Sequence, residues 1–367
     1  MIKEHCFTEE WLDSFKRRQE YKRIDKAILE KMIYALHLLE RIKANGLEFT
    51  FKGGSSLILL LDEVYRFSID IDIICNTDRA SLEKVLKRVI DSSKFKAFEL
   101  DEHRSYKEGI PKAHYSFSFA SVAKGRYSGT ILLDILIEDS IYPELKQKEI
   151  QTKWIETEAQ TNISVPTIDS LTGDKLTAFA PNTVGIPYFK GKGQQAFSME
   201  ICKQLFDLSK LFERIENIEI VAQSFEAFAL QEIEYRKKER PDLTPIMVLQ
   251  DSINTCAILA KRGKGGADEK LKFTELQKGI RAFGTGFLIN ENFRIDNAVP
   301  AAARIAYLSA KIWNKNWSPI EYYKGQDIRD WNIENEDWNF LNRLKKQTDK
   351  SGFYYWFKAL EIMKLID

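Results

Sequence analysis

Between residues 47 and 75 the chain sets two strand-like runs, LEFTF (47–51) and IDIDIIC (69–75), around a glycine pair and a short apolar stretch. The order is strand, Gly53-Gly54, a helix through Leu61, and strand. Glycines at such a turn let backbone N–H groups approach an anion closely, and the start of a helix adds a positive partial charge. Ser55 or Ser56 adds a hydroxyl for a phosphate. On the second strand, a period of two puts Ser68, Asp70 and Asp72 on one face and Ile69, Ile71 and Ile73 on the other. Two carboxylates on one face repel each other, and a divalent cation between them relieves the repulsion.

A third carboxylate stands out further along. Asp134 is the only charge in ILLDILI (131–137), a run that otherwise reads as a buried central strand. A lone buried carboxylate costs several kcal/mol or takes up a proton, and a metal shared with Asp70 and Asp72 removes that cost. Three carboxylates on neighbouring strands beside a phosphate-binding turn suit metal-assisted phosphoryl or nucleotidyl transfer.

The surrounding chain predicts an α+β protein in two parts. A helix is expected over 25–45, with Asp25 as its N-cap and Gly46 beyond its end, and another over 79–93. Further strands are expected at 113–120 and 130–138. After about residue 167 strand-like runs give way to helical ones at 168–180, 197–214, 220–237, 244–262, 273–282, 299–314 and 352–365. The expected division is therefore a mixed-sheet domain over 1–166 and a helical domain over 167–367.

Charge and cysteine usage exclude several classes. The 55 basic and 54 acidic residues nearly cancel, so any nucleic-acid site must be a local patch. Candidate patches are 185–192 with Lys190 and Lys192, RKKER (236–240), and 261–272. Cys6, Cys75, Cys202 and Cys256 form no C-x-x-C pair, so neither a zinc site nor a disulfide framework is expected. The four histidines, His5, His37, His103 and His114, show no metal-binding spacing, so a catalytic metal would rest on carboxylates. The first residues, MIKEHCFTEEW, carry no signal-peptide core, and no apolar run approaches the roughly 20 residues that span a bilayer. A cytoplasmic protein with no membrane partner is expected.

The segment KGGSSL followed by RFSIDIDI resembles the K-G-G-[TS]-S-L…R-F-S-x-D-I-D pattern of the AbiEii/AbiGii-type nucleotidyltransferases, a branch of the DNA polymerase β-like superfamily. Downstream, Lys175 in DSLTGDKLTAF fits a lysine that this family carries after its sheet. Lys203-Gln204-Leu205-Phe206-Asp207-Leu208 matches its K-D-x-x-D-L element at Lys203 and Asp207 and departs from it at Gln204. The resemblance covers about residues 50–210.

It implies a polymerase β-like mixed sheet with flanking helices, followed by an all-helical domain that brings Lys175 and Asp207 to the cleft. It further implies that Gly53, Gly54, Ser55, Ser56, Arg66, Lys175 and Lys203 bind the nucleotide. Asp70, Asp72 and Asp134 would hold Mg²⁺ or Mn²⁺, and Asp207 would orient the triphosphate or another active-site group. The implied reaction moves a nucleoside monophosphate from an NTP to a hydroxyl, with pyrophosphate leaving. Members act as toxins of toxin–antitoxin and abortive phage infection systems. A tRNA acceptor end is then the leading substrate, and a winged-helix antitoxin the expected partner. The residues alone leave other readings open: transfer to a protein hydroxyl, a carboxylate-metal nuclease, a D-x-D glycosyltransferase, or a non-catalytic nucleotide-binding module. A kinase-type NTPase is disfavoured, because the nearest approach to a phosphate-binding P-loop, at 185–193, has one residue too many and lacks the Ser/Thr.

Overall fold

The computed structural model describes every residue except 23, 106–109, 124–126, 191–194 and 367, together with the side chains of all but 190 and 195. The chain divides into two compact units, one of residues 1–167 and 286–291, the other of 168–285 and 292–367.

The first unit opens with α1 (Glu9–Lys16) and α2 (Lys26–Ala44). Asp25 caps α2 by accepting hydrogen bonds from the N–H groups of Ala27 (2.7 Å) and Ile28 (3.3 Å). Gly46, with φ +86°, turns the chain out beyond its end. Then come β1 (Thr50–Lys52), α3 (Leu57–Leu60), β2 (Ile71–Ile74), α4 (Arg79–Asp91), β3 (Phe95–Leu100), α5 (Glu102–Ser105), β4 (Lys112–Ala120), β5 (Ser128–Leu136), β6 (Leu145–Glu149) and β7 (Asn162–Pro166).

Seven strands make one mixed sheet in the order β3-β4-β5-β2-β1-β7-β6. β2 runs parallel to β5 and antiparallel to β1, and β1 runs parallel to β7. The two faces differ along the central strands. Ile71, Ile73, Leu133 and Ile135 are almost fully buried, and α2 packs against β5 and α4. The alternating residues Asp72 and Asp134 are half-buried on the opposite face. Along with a short strand pair at Phe189–Lys190 and Gln195–Ala196 in the part expected to be all helical, three strands of this sheet, β3, β6 and β7, went unpredicted by the sequence. Two of them are amphipathic, and β3 and β6 lie at the sheet edges, where charged residues are favoured.

A short return segment completes this unit. The N–H of Phe67 donates to the carbonyl of Phe287 (3.0 Å) and the N–H of Ile289 to that of Tyr65 (2.9 Å), with an antiparallel bridge between Arg66 and Leu288. The stretch leading into the D-x-D strand is therefore held by residues more than 200 positions away in sequence.

The second unit comprises α6 (Ile168–Ala178), a small hairpin of β8 (Phe189–Lys190) and β9 (Gln195–Ala196), α7 (Ser198–Phe212), α8 (Ile218–Arg236), α9 (Pro245–Lys261), α10 (Ala267–Gly286), α11 (Ile295–Trp313) and α12 (Ser351–Ile362). α11 packs against α7, α9 and α12 and forms the centre of the unit. Its alanine-rich run from Ala301 to Ala303 and on to Ala306 and Ala310 is buried throughout. α6 and α8 approach to backbone distance at Gly173, where a Cβ would lie 2.5 Å from the Val221 carbonyl oxygen and the Phe225 nitrogen. The Asp169 carboxylate accepts from the N–H groups of Glu216 (3.1 Å) and Asn217 (2.9 Å), fixing the start of α8. Gly173→Ala should therefore force these helices apart and destabilise the protein by about 1–3 kcal/mol, the range for overpacking. Urea denaturation measures this, and an unchanged midpoint would contradict the close approach.

Candidate active site

The D-x-D strand and the Asp134 strand meet in register. Cα partners across four adjacent strands are Lys52↔Asp72 (β1–β2), Asp72↔Asp134 (β2–β5) and Asp134↔His114 (β5–β4). Residues directly opposite in a sheet project from the same face, so Lys52, Asp72, Asp134 and His114 form one transverse row. Neighbouring strands lie about 4.8 Å apart. Two ionised carboxylates about 5 Å apart repel by roughly 3 kcal/mol at an effective dielectric near 20. The row therefore needs positive charge at its centre.

The protein supplies part of that charge at Asp134. The Nδ1 of His114 lies 2.5 Å from Asp134 Oδ1, and Arg104 Nη2 donates to Oδ2 at 3.2 Å. This corrects the premise that Asp134 is a lone buried charge. Its side chain is 26% exposed and both oxygens have partners, so its burial alone does not demand a metal. Each oxygen still has a second lone pair for a further ligand. His114 is the residue that sequence reasoning missed. It has no motif spacing, and only strand register brings it to Asp134.

The glycine turn lies directly over the other carboxylate. Gly53 has φ +74°, and a Cβ there would overlap the Asp72 carboxylate. Only glycine combines that backbone conformation with that approach. The two serines tie the turn down. Ser55 Oγ hydrogen-bonds Ser68 Oγ (2.8 Å) and the carbonyl of Asp70, and Ser56 Oγ donates to the carbonyl of Gly53 (2.9 Å). Both serines are buried, so their hydroxyls hold the turn against the D-x-D segment. The expected helix after the turn is the single turn α3, too short to carry much dipole. Asp70 is exposed and lies just before β2 begins. Arg66 bridges to Leu288 through its backbone, and its Nη1 donates to the carbonyl of Phe67 at 3.2 Å.

The chemistry of the donors fits a hard divalent cation: Asp72 and Asp134 offer oxygen ligands on one face, with Asp70 two residues before Asp72. Among the described residues, no three His, Cys, Asp or Glu side chains are already gathered around a common point.

In the helical unit, Lys175 on α6 and Asp207 on α7 form a buried ion pair, Nζ to Oδ2 at 2.7 Å, 3% and 1% exposed. Gln204 Oε1 accepts from the same ammonium at 3.2 Å. With Gln204 neutral, one carboxylate balances one ammonium, and an acid at 204 would leave an excess negative charge in a buried setting. Removing either partner of such a pair costs about 3–5 kcal/mol. Lys203, one turn before Asp207 on α7, is half-buried.

The basic runs that the sequence offered as polyanion patches are largely neutralised by neighbours. Arg236 pairs with Glu232, Lys237 with Glu234 (3.0 Å) and Arg240 with Asp242 (3.2 Å). Lys261 pairs with Glu269, Arg262 with Asp296 and Lys272 with Asp268, each at 2.7 Å. Lys192 and the side chain of Lys190 lie outside what is described. Among the described residues, no helix is long and apolar enough to cross a membrane.

The site is thus a mixed sheet with acidic residues in register beside a glycine turn. The model of the AbiEii family, nucleotidyl transferase toxins of type IV toxin–antitoxin systems, matches residues 37–269. The chain belongs to this family and is a transferase enzyme. A crystal structure of a candidate nucleotidyltransferase from H. pylori is similar at 16% identity and a TM-score of 0.34, covering 68% of this chain and 95% of that one. No curated protein matches.

His114→Ala frees Asp134 Oδ1, whereas His114→Asn keeps a donor near the Nδ1 position. We expect kcat for pyrophosphate release to fall 10–100-fold in the alanine variant, the range for outer-sphere partners, and to recover in the asparagine variant. Equal loss in both variants would contradict the positioning role.

Proposed function

We propose that this enzyme transfers a nucleoside monophosphate from an NTP to the hydroxyl at the acceptor end of a tRNA, releasing pyrophosphate. It does so as the toxin of a type IV system acting in abortive phage infection. The observation that carries this reading is the in-register pair Asp72–Asp134, with the Gly53 backbone laid over Asp72, in a chain of the AbiEii family.

In this reading Asp70, Asp72 and Asp134 would hold Mg²⁺ or Mn²⁺, which when bound would supply positive charge for the triphosphate and lower the pKa of a coordinated hydroxyl. The acceptor oxygen bonds to the α-phosphorus as the bond to the bridging oxygen of pyrophosphate breaks. The hydroxyl proton passes to a carboxylate, Asp134 or Asp70. His114 and Arg104 keep Asp134 oriented for that task. At the turn, backbone N–H groups at Gly53 and Gly54 meet the phosphates, while Ser55 and Ser56 hold the turn in place and Arg66 braces the segment behind it. Lys175 is assigned to the triphosphate; its ammonium rests against Asp207 and Gln204 and must leave that buried pair to reach a phosphate, and Lys203 adds positive charge. The enzyme works in the cytoplasm, with a winged-helix antitoxin encoded beside it.

Incubation with total RNA, Mg²⁺ and each α-³²P-labelled NTP in turn tests this reading. A labelled tRNA band is expected with at least one nucleotide and should vanish in Asp72→Asn and after chelation with EDTA. Shortened RNA without added nucleotide would indicate a nuclease. Labelled protein would move the acceptor, and no labelling with any nucleotide would overturn the reading.

A further inference from the structure

The helical unit carries a pocket of about 410 Å³ between the end of α10 and the start of α11. Its wall on α10 includes Gln277, Arg281 and Thr285, which recur at four-residue spacing and so share one helix face. Its other wall is Asn292, Phe293 and Arg294, where the chain enters α11. Gly284 lies between Arg281 and Thr285 and adds no side chain to the space.

No acidic residue lines this pocket. Arg281 and Arg294 are exposed, and among the described residues neither guanidinium has a carboxylate partner. Of the acids near them in sequence, Glu275 pairs with Lys278 at 2.6 Å and Asp296 with Arg262 at 2.7 Å, and Glu291 does not line the pocket. This is the reverse of the basic runs at 236–240 and 261–272, where most cations already face an anion. Two like charges on one pocket repel each other until an anion enters, and guanidinium forks match phosphate oxygens bidentately. The amides of Gln277 and Asn292 add further donors, while the Thr285 hydroxyl is already donated to the Ala282 carbonyl at 3.0 Å. Phe293, 5% exposed, provides an apolar floor. The volume is at the lower end for ligand sites, about 300–1,000 Å³, which suits one nucleotide unit of a strand and excludes a duplex.

We propose that this pocket binds a backbone phosphate of the RNA acceptor through Arg281 and Arg294. The proposal rests on the RNA-acceptor reading and adds to it the surface that holds the polynucleotide. Such a contact is independent of base identity and weakens with salt, because binding releases counterions from the phosphates.

The test is fluorescence anisotropy with 5′-fluorescein-labelled unfractionated tRNA on the full chain, over a range of KCl. A fluorescent NTP analogue with Mg²⁺ is measured in parallel. The Arg281→Ala/Arg294→Ala variant should bind tRNA at least 10-fold more weakly, with a log–log salt slope shallower by about one. Its NTP affinity should stay within twofold of wild type. Both side chains are exposed, so its melting temperature should not move. The matched Lys237→Ala/Arg240→Ala variant, drawn from a neutralised run, should lose less than twofold. Wild-type tRNA affinity in the double arginine variant, or equal loss in the matched control, overturns the proposal and leaves the RNA-acceptor reading standing. Loss of NTP binding with tRNA binding retained assigns the pocket to the nucleotide and also overturns it. Wild-type protein that binds no tRNA overturns both together.

Discussion

The site in the sheet depends on the repulsion between two carboxylates held at the same register on adjacent parallel strands. Asp72 and Asp134 are register partners, and a one-residue shift of β2 against β5 would turn Ile71 and Ile73 out of the core. The hydrophobic face thus fixes the acidic face. Around that fixed pair the chain arranges compensating groups. His114 and Arg104 serve Asp134, Lys52 stands opposite Asp72 in the row, and the Gly53 backbone closes over Asp72.

The helical unit answers the same electrostatic problem differently. Lys175 and Asp207 are sealed against each other, and Gln204 completes the lysine's hydrogen bonding without adding charge. A buried pair of this kind contributes little net stability compared with apolar residues, yet is costly to break.

Much of this was legible in the sequence where the signal is local. The period of two in IDIDIIC placed Asp72 opposite the buried Ile71 and Ile73, because a strand's alternation does not depend on its neighbours, whereas Asp134 was expected to be buried and is half-buried instead. The long helices were legible from their spacing, and α2 also from its cap. What the sequence could not reveal depends on register and on distant partners. His114 reaches Asp134 only because β4 pairs with β5 as it does, and no spacing within the chain announces that. The return of residues 286–291 beside Tyr65–Phe67 has no local signature. The basic runs misled for a related reason. A count of lysines and arginines does not register that carboxylates within a turn, or from another helix, already neutralise them. Arg281 and Arg294, isolated in sequence, escape that neutralisation.

The account turns on Asp72 and Asp134 acting together on one cation, and electron paramagnetic resonance of Mn²⁺ bound with a non-hydrolysable NTP tests that most directly. Wild-type protein should bind Mn²⁺ in a nucleotide-dependent way, and Asp72→Asn and Asp134→Asn should each weaken it at least 10-fold while remaining folded. Binding in both variants equal to that of wild type would contradict the account.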